Sequence, residues 1–498
     1  MLSRLPYNTT LSSMWGYVDK TGREYALVGL VNGSLSVVDV TDPYKPEEVF
    51  RSNGITSSWR EIKVYNDRAY VVTEASAGVQ IVDLSTLPEN RNLGVSMFTD
   101  SGRVQTIHTL WIDEEGIMYL WGSNALSSKN GYVAFDLKTS LTNPKLYHKQ
   151  VTPYVHDGLV IGNRMYLSHI YDGYFTIYDV TDKKNPKRIG AQNTPSNFTH
   201  NAWPTTDGKH IVTTDERANS YLAVYNIENP ANIYETDRIQ TNPGSKAIVH
   251  NTHILGDFAI SSYYTEGVTI HDVSDPENII EVAKYDCSPF YGSTFNGVWE
   301  VYPFLPSGNL VAGDMEGGLY VFRPVYKKGS YINGTVRDEV TGAPLGNVAV
   351  DLPGLNQSTL SKTTGVFKLG HSSAGPAAIR LIKAGYQPLV LNNLPLENGK
   401  TVVLDLTMKP LTSGIHSLSE GGYSLYPNPV SDRLILTGTE GSPALKSATI
   451  LSINGAVVKS LEITNNAINQ YLDITPGMYL LKVEFGDGNM IVEKIVKK

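Results

Sequence analysis

One six-residue pattern recurs seven times in the first 325 residues: LSVVDV (35–40), VQIVDL (79–84), YVAFDL (132–137), FTIYDV (175–180), LAVYNI (222–227), VTIHDV (268–273) and LYVFRP (319–324). β-Branched and aromatic residues dominate these stretches, which reads as strand. Asp39, Asp83, Asp136, Asp179, Asn226 and Asp272 close six of them, and Arg323 breaks the pattern in the last. A second β segment precedes each one (YALVGL, AYVVTE, MYLWGS, MYLSHI, HIVTTD, FAISSY, NLVAGD). Gly33, Gly78, Gly131, Gly173, Gly267 and Gly318 stand where the connecting turn needs a positive φ. After the acid come TDPYKP, TDKKNPK, ENPAN or SDPENI, in which Asp, Asn and Pro supply turn chemistry before an outer strand.

A repeat of about 45 residues with four short strands per unit is the signature of a β-propeller blade. Seven units predict an all-β, seven-bladed β-propeller, closed so that no sheet edge stays open. The 30 Tyr against 12 Phe, with 44 Gly and 26 Pro, fit short strands and tight turns, and no amphipathic helical stretch stands out. At 498 residues the chain exceeds one core, so further domains are expected.

The net charge of -8 is built from interspersed signs, with no basic stripe for nucleic acid and no polybasic membrane anchor. The longest apolar runs, such as GVQIVDL, fall far short of the roughly 20 residues that span a bilayer, so no transmembrane segment is expected. Cys287 is the one cysteine, which excludes an intrachain disulfide and a Cys-rich zinc site. The opening residues MLSRLPYNTTLSSMWGYV lack the apolar core of a signal peptide, so export would require a leader outside this sequence.

Aligning the opening strands sets Trp15, Trp59, His108, His156, His200, His250 and Trp299 at one level, about ten residues ahead of the next strand. Gly16, Arg60, Thr109, Asp157, Asn201, Asn251 and Glu300 follow them. An opening strand lines the channel, so four consecutive imidazoles are candidates to hold a divalent metal (zinc or calcium) or to orient an anionic or sugar ligand. Glu61, Asp157, Asp215 and Glu216 are the candidate carboxylates. The plainer expectation is that the rings bond to turns and neighbouring blades. A seven-stranded channel is wide, and four rings on an arc need not converge on one ion. Trp203 and His253 read as inter-blade core. Signatures such as G-x-S-x-G, H-E-x-x-H and G-x-x-x-x-G-K-[ST] are absent, so the catalytic residues of any enzyme here are unassigned.

The cassettes resemble the LVIVD repeat. HNAWPTTDGKHIVTTDE, with FNGVWEVYPFLPSGNLVAGDMEGGLYVFRP, resembles the choice-of-anchor B group of bacterial surface propellers. That likeness implies an extracellular propeller over residues 1–326. From 327 to 411, Gly334, Val336, Asp338, Thr341, Gly342, Pro344 and Leu345, then Gly365-Val366-Phe367, resemble the carboxypeptidase regulatory-like module. The resemblance implies a non-catalytic, transthyretin-like β-sandwich with a fold shared by some carbohydrate-binding domains, read here as a spacer. After a linker at 412–422, residues 423–498 resemble the type IX secretion C-terminal sorting domain of Bacteroidetes-like bacteria. Tyr426, Pro427, Asn428, Pro429, Leu434, Gly455, Gly477, Tyr479 and Lys494 carry the match.

These features together predict a secreted or cell-surface propeller, monomeric, exported by the type IX secretion machinery and serving ligand binding or adhesion. Its expected partners are an extracellular glycan, a peptide or another surface protein. The alternative is an extracellular hydrolase or lyase acting on a polymer with a His/acid site at the channel, and a third reading is a purely architectural surface component.

Overall fold

A computed structural model describes residues 1–126, 129–411, 417–486 and 488–498, so the expected linker lies partly outside the described residues. All regular structure among them is β-strand. Residues 3–322 form seven four-stranded antiparallel sheets, six of them consecutive in sequence. The first strands of the sheets are Leu11–Val18, Arg60–Tyr65, Thr109–Ile112, Asp157–Ile161, Thr199–Pro204, Thr252–Leu255 and Val298–Tyr302. Each packs against the next in order, and the first packs against the last, which closes the ring.

The seventh sheet takes its outer strand from the other end of this region. Ser3–Leu5 pairs with Gly318–Phe322, setting Ser3 opposite Val321 and Leu5 opposite Leu319. That arrangement explains Arg323. The other cassettes use an Asp or Asn to turn the chain into an outer strand; here the chain leaves the ring. In the remaining six, the terminal Asp or Asn accepts the backbone N–H two residues on, from Thr41 (3.0 Å), Ser85 (3.0 Å), Lys138 (2.9 Å), Thr181 (2.9 Å), Glu228 (3.2 Å) and Ser274 (3.0 Å). A side chain that mimics a backbone turn is what Asp and Asn supply best.

Apolar side chains of adjacent sheets interlock. Tyr70, Val72, Ile81 and Phe98 of the second sheet pack against Leu110, Met118, Leu120, Val133 and Phe135 of the third. All six hinge glycines have positive φ. At Gly267 (φ +81°) a Cβ would lie 2.1 Å from the Tyr285 carbonyl oxygen, whereas at Gly256 (φ +59°) nothing lies within 4 Å. Gly256→Ala should therefore cost only the conformational penalty, about 1–3 kcal/mol, and Gly267→Ala measurably more. Thermal unfolding followed by tryptophan fluorescence reports the ring alone, because all six Trp lie between positions 15 and 299. Equal melting shifts for the two variants would contradict the steric account.

Beyond the ring, the strands Gln357–Leu360, Ala349–Leu352, Gly375–Ile382 and Leu389–Leu396 form one sheet, and Val366–His371, Ser330–Asp338 and Thr401–Met408 another. Two further sheets, of three and four strands, follow between Tyr423 and Lys497. They enclose a core of their own, including Leu434, Leu436, Ile450, Leu481, Val483 and Ile495. By compactness the chain divides into two units: Met1–Val336 with Pro344–Leu381 and Leu389–Leu406, and Arg337–Ala343 with Ile382–Pro388 and Thr407–Lys498.

Candidate functional site

Strand register corrects the expected alignment of the channel. Trp15 faces Leu27, which faces Val37. Trp111 faces Tyr119, which faces Ala134, and His253 faces Ile260, which faces Ile270. Trp15 is thus equivalent to Trp111 and His253, three residues beyond the histidine level. In the second sheet Lys63 faces Tyr70 and Tyr70 faces Ile81, so Arg60 takes the histidine level and Trp59 precedes it by one. The cause in the first sheet is a longer hairpin: Trp15 pairs with Leu27 twelve positions on, whereas Lys63, Trp111 and His253 pair with residues seven or eight positions on.

The channel side chains therefore form three tiers. The mouth tier holds Arg60, His108, His156, His200, His250 and Trp299. The next holds Ser13, Glu61, Thr109, Asp157, Asn201, Asn251 and Glu300. The third holds Trp15, Lys63, Trp111, Leu159, Trp203, His253 and Tyr302.

In the mouth tier the four imidazoles lie side by side, with ring centroids 4.1, 4.4 and 4.2 Å apart from His108 to His250. His108 Nδ1 lies 2.7 Å from Glu74 Oε1, and its Nε2 lies 3.2 Å from His156 Nε2. His250 Nδ1 donates to the Trp299 carbonyl at 2.5 Å, which leaves its lone pair on Nε2. Glu216 stands over the other half of the arc, Oε2 3.9 Å from His200 Nε2 and Oε1 3.7 Å from His250 Nε2. The Tyr264 hydroxyl donates to Glu216 Oε1 at 2.5 Å. Burial pushes His156 well below the ordinary imidazole range, His200 down to about 3 and His250 down to about 4, with neighbouring imidazoles adding to the effect. These rings are neutral at physiological pH.

The second tier is spent on itself, blade to blade. Ser13 Oγ donates to Glu61 Oε2 (3.0 Å), Asn201 Nδ2 to Asp157 Oδ2 (2.7 Å) and Asn251 Nδ2 to Glu300 Oε2 (2.7 Å). Lys63 reaches up from the third tier to Glu61, and His253 Nε2 lies 3.0 Å from Glu300 Oε1. Burial raises the carboxyls of Glu61 and Asp157 against the pull of Lys63 and Asn201 respectively. Burial acts upward on Glu300 as well, but His253, with His250 and Lys63 adding to it, turns the net shift downward. The third tier plugs the ring. Lys63 Nζ sits 4.1 Å from the centre of the Trp15 ring, and Trp15 meets Trp111, His253 and Tyr302 at 6.2, 6.1 and 5.0 Å. Trp203 and His253 are core here, as expected.

The structure thus brings His108, His156, His200, His250, Glu61, Asp157 and Glu216 around one depression of about 50 Å³, rimmed by Trp59 and Trp299. Asp215 is not among them. Its carboxylate accepts the backbone N–H groups of Ser196 (2.7 Å) and Phe198 (3.1 Å) and stabilises the loop leading into its own sheet. The four rings do not converge on one point, because a ring of blades spaces them side by side. His108 and His156 pair with each other, while the ligand atoms of His200, His250 and Glu216 lie within 4.8 Å of one another.

Glu74 and Tyr264 are functional neighbours that sequence reading missed. With Glu216 they occupy one cassette position, four residues after the equivalent residues Tyr70, Ile260 and Val212. Aligning the second strands of the cassettes would have exposed them. A larger cavity, about 670 Å³, lies elsewhere, lined by Ile161, Tyr166, Trp203, Pro230 and Ile254. Its charged lining, Arg164, Lys209 and Glu228, contains no cluster like the one at the mouth.

In the tail, Asn428 joins the segment after the first strand to the last strand. Its Nδ2 donates to the Lys494 carbonyl (2.7 Å) and its Oδ1 accepts from Val496 N–H (2.9 Å). Tyr426, Pro427 and Pro429 flank this clamp at the end of Tyr423–Tyr426. Gly477 opens the strand Gly477–Phe485, and Tyr479 in that strand is buried, with its hydroxyl on the Thr475 carbonyl (2.8 Å).

Comparison with known families finds three matches in chain order. Residues 23–53 match the LVIVD repeat, residues 331–409 the carboxypeptidase regulatory-like domain, and residues 424–498 the secretion system C-terminal sorting domain. Carboxypeptidase D from Mus musculus and from Rattus norvegicus are each 31% identical to this chain over 86 residues, covering 17% of this chain and 6% of theirs. The chain therefore spans about 6% of the length of these curated relatives. The sorting domain marks the protein as secreted or cell-surface and implies interaction with the type IX machinery. Among the described residues no helix is long and apolar enough to cross a membrane.

Proposed function

We propose that this protein is an exported binding module, a ring of seven blades whose channel mouth takes an extracellular ligand. The observation that carries this reading is the mouth itself. Below it, the acids and amides pair across blades and the aromatics plug the channel, so the groups left to meet a ligand are the imidazole arc, Glu216 and the indoles of Trp59 and Trp299. Trp59 is 45% exposed at the rim. An indole face beside hydrogen-bonding imidazoles and a carboxylate fits a polar ligand with a flat apolar side. An extracellular glycan has that chemistry.

The experiment is a glycan-array and titration screen of the full chain, with peptides as the competing class. Trp59→Ala should weaken any specific binding by about tenfold or more, as expected for losing an aromatic anchor. Tyr44→Ala, which removes an exposed aromatic in an outer turn, should leave binding unchanged. Binding indifferent to Trp59 would place the site elsewhere. One observation favours the second reading, a polymer-cleaving hydrolase or lyase: the raised carboxyl of Asp157 lines the same depression as His156. Release of shortened products from a bound glycan, abolished in Asp157→Asn, would favour it.

A further inference from the structure

We infer that His200, His250 and Glu216 hold a divalent cation of the zinc class at the channel mouth. The three donors come from adjacent sheets: His200 and His250 occupy the same position in the fifth and sixth, and Glu216 follows the second strand of the fifth. Both imidazoles are buried, and Glu216 is half-buried. Each Nε2 stands 3.7–3.9 Å from a different carboxylate oxygen, too far for a hydrogen bond. Three strong polar groups thus face one another across a gap that an ion spans. Tetrahedral zinc with bonds of about 2.0–2.2 Å holds its ligands roughly 3.3–3.5 Å apart, so a small inward movement completes the site.

The surroundings orient the donors as metal sites require. The Trp299 carbonyl holds the proton of His250 on Nδ1 and aims the Nε2 lone pair inward, and the Tyr264 hydroxyl fixes Glu216. His200 Nδ1 is buried without a hydrogen-bond partner, so its ring, unlike that of His250, is placed by packing between its neighbours. Two imidazoles with one carboxylate suit zinc and its neighbours in the transition series, whereas calcium takes six to eight oxygens. His108 and His156 are bonded to each other and stand outside the set. The depression of about 50 Å³ leaves a coordination position for water or for a donor atom of the ligand. This inference rests on the mouth being the binding site and adds the ion through which it binds.

The test uses zinc alone. The full chain is stripped with a chelator, dialysed against zinc, analysed for metal and titrated against a chromophoric competitor. Cobalt(II) in place of zinc reports tetrahedral geometry by its visible spectrum. We expect one zinc per chain and a loss of affinity of about 100-fold or more, the scale of metal-site lesions, in His250→Ala and in Glu216→Gln, with Tyr44→Ala in an outer turn unchanged. Glu216→Gln preserves side-chain shape and decides the matter should His250→Ala fail to fold, which near-UV circular dichroism would show. Absence of stoichiometric zinc, or affinity unaffected by Glu216→Gln, would overturn the inference. Glycan binding by the zinc-free chain would leave the mouth as a site and overturn the ion's role. Zinc uptake without glycan binding would uphold the ion and overturn the glycan reading.

Discussion

Glu300→Leu should destabilise the ring by about 3–5 kcal/mol, the range for removing one partner from a buried charged network. Three donors converge on this carboxylate: Asn251 Nδ2 at 2.7 Å, His253 Nε2 at 3.0 Å and the Val301 backbone N–H at 3.0 Å. Leucine fills the volume but accepts nothing, so each donor stays buried with an unmet hydrogen bond. Because the three act on one side chain, their costs are coupled. Asn251→Leu combined with Glu300→Leu should cost less than the two single substitutions summed. Urea unfolding monitored by tryptophan fluorescence follows the ring without contribution from the tail. A single-variant loss below about 1 kcal/mol would mean that water, not Glu300, satisfies these donors.

Deleting residues 417–498 should abolish delivery to the cell surface or medium while leaving the ring folded. The deletion begins at 417 because Leu418 belongs to the tail's own core, together with Tyr423, Val430 and Ile495. That core is built from tail residues alone. Fractionating cells that express the full and the shortened chain measures delivery, and the tryptophan melting transition measures the ring. Normal delivery of the shortened chain would refute the sorting role. A finer variant, Asn428→Ala, breaks the two hydrogen bonds that tie Asn428 to the last strand at Lys494 and Val496, and should lower tail stability by about 1–2 kcal/mol.

What the sequence disclosed and what it hid follow from how local each feature is. The hinge glycines and the Asp turns are local: a positive φ and an acid two residues before a bonded N–H are written in adjacent letters. The mouth histidines are legible at one remove, because His108, His156, His200 and His250 each stand eight to ten residues ahead of the second strand of their sheet. Trp15 and Trp59 mislead because an aromatic residue near the right spacing mimics membership of the tier, and only the inter-strand register, which pairs Trp15 with Leu27 across a longer hairpin, reveals the offset. Ser3–Leu5 carries almost no strand signal in three residues; its pairing is fixed by a partner more than 300 positions away. Glu74 and Glu216 are legible as cassette equivalents. Their different neighbours, His108 for one and the His200–His250 pair for the other, depend on which blade each loop overhangs.

The pairing of Ser3–Leu5 with Gly318–Phe322 bears on how the ring is made. The six consecutive sheets assemble from hairpins whose strands lie close in the chain, and such contacts form early and fast. The seventh waits until residue 322 exists and its ends meet, the contact with the greatest loop-closure entropy in the ring. Until that moment the final sheet presents a bare strand edge to its surroundings, and a second copy of residues 3–5 is as good a partner as the first. Dilution therefore protects the nascent protein: intramolecular closure is independent of concentration, whereas exchange of this short strand between chains rises with it.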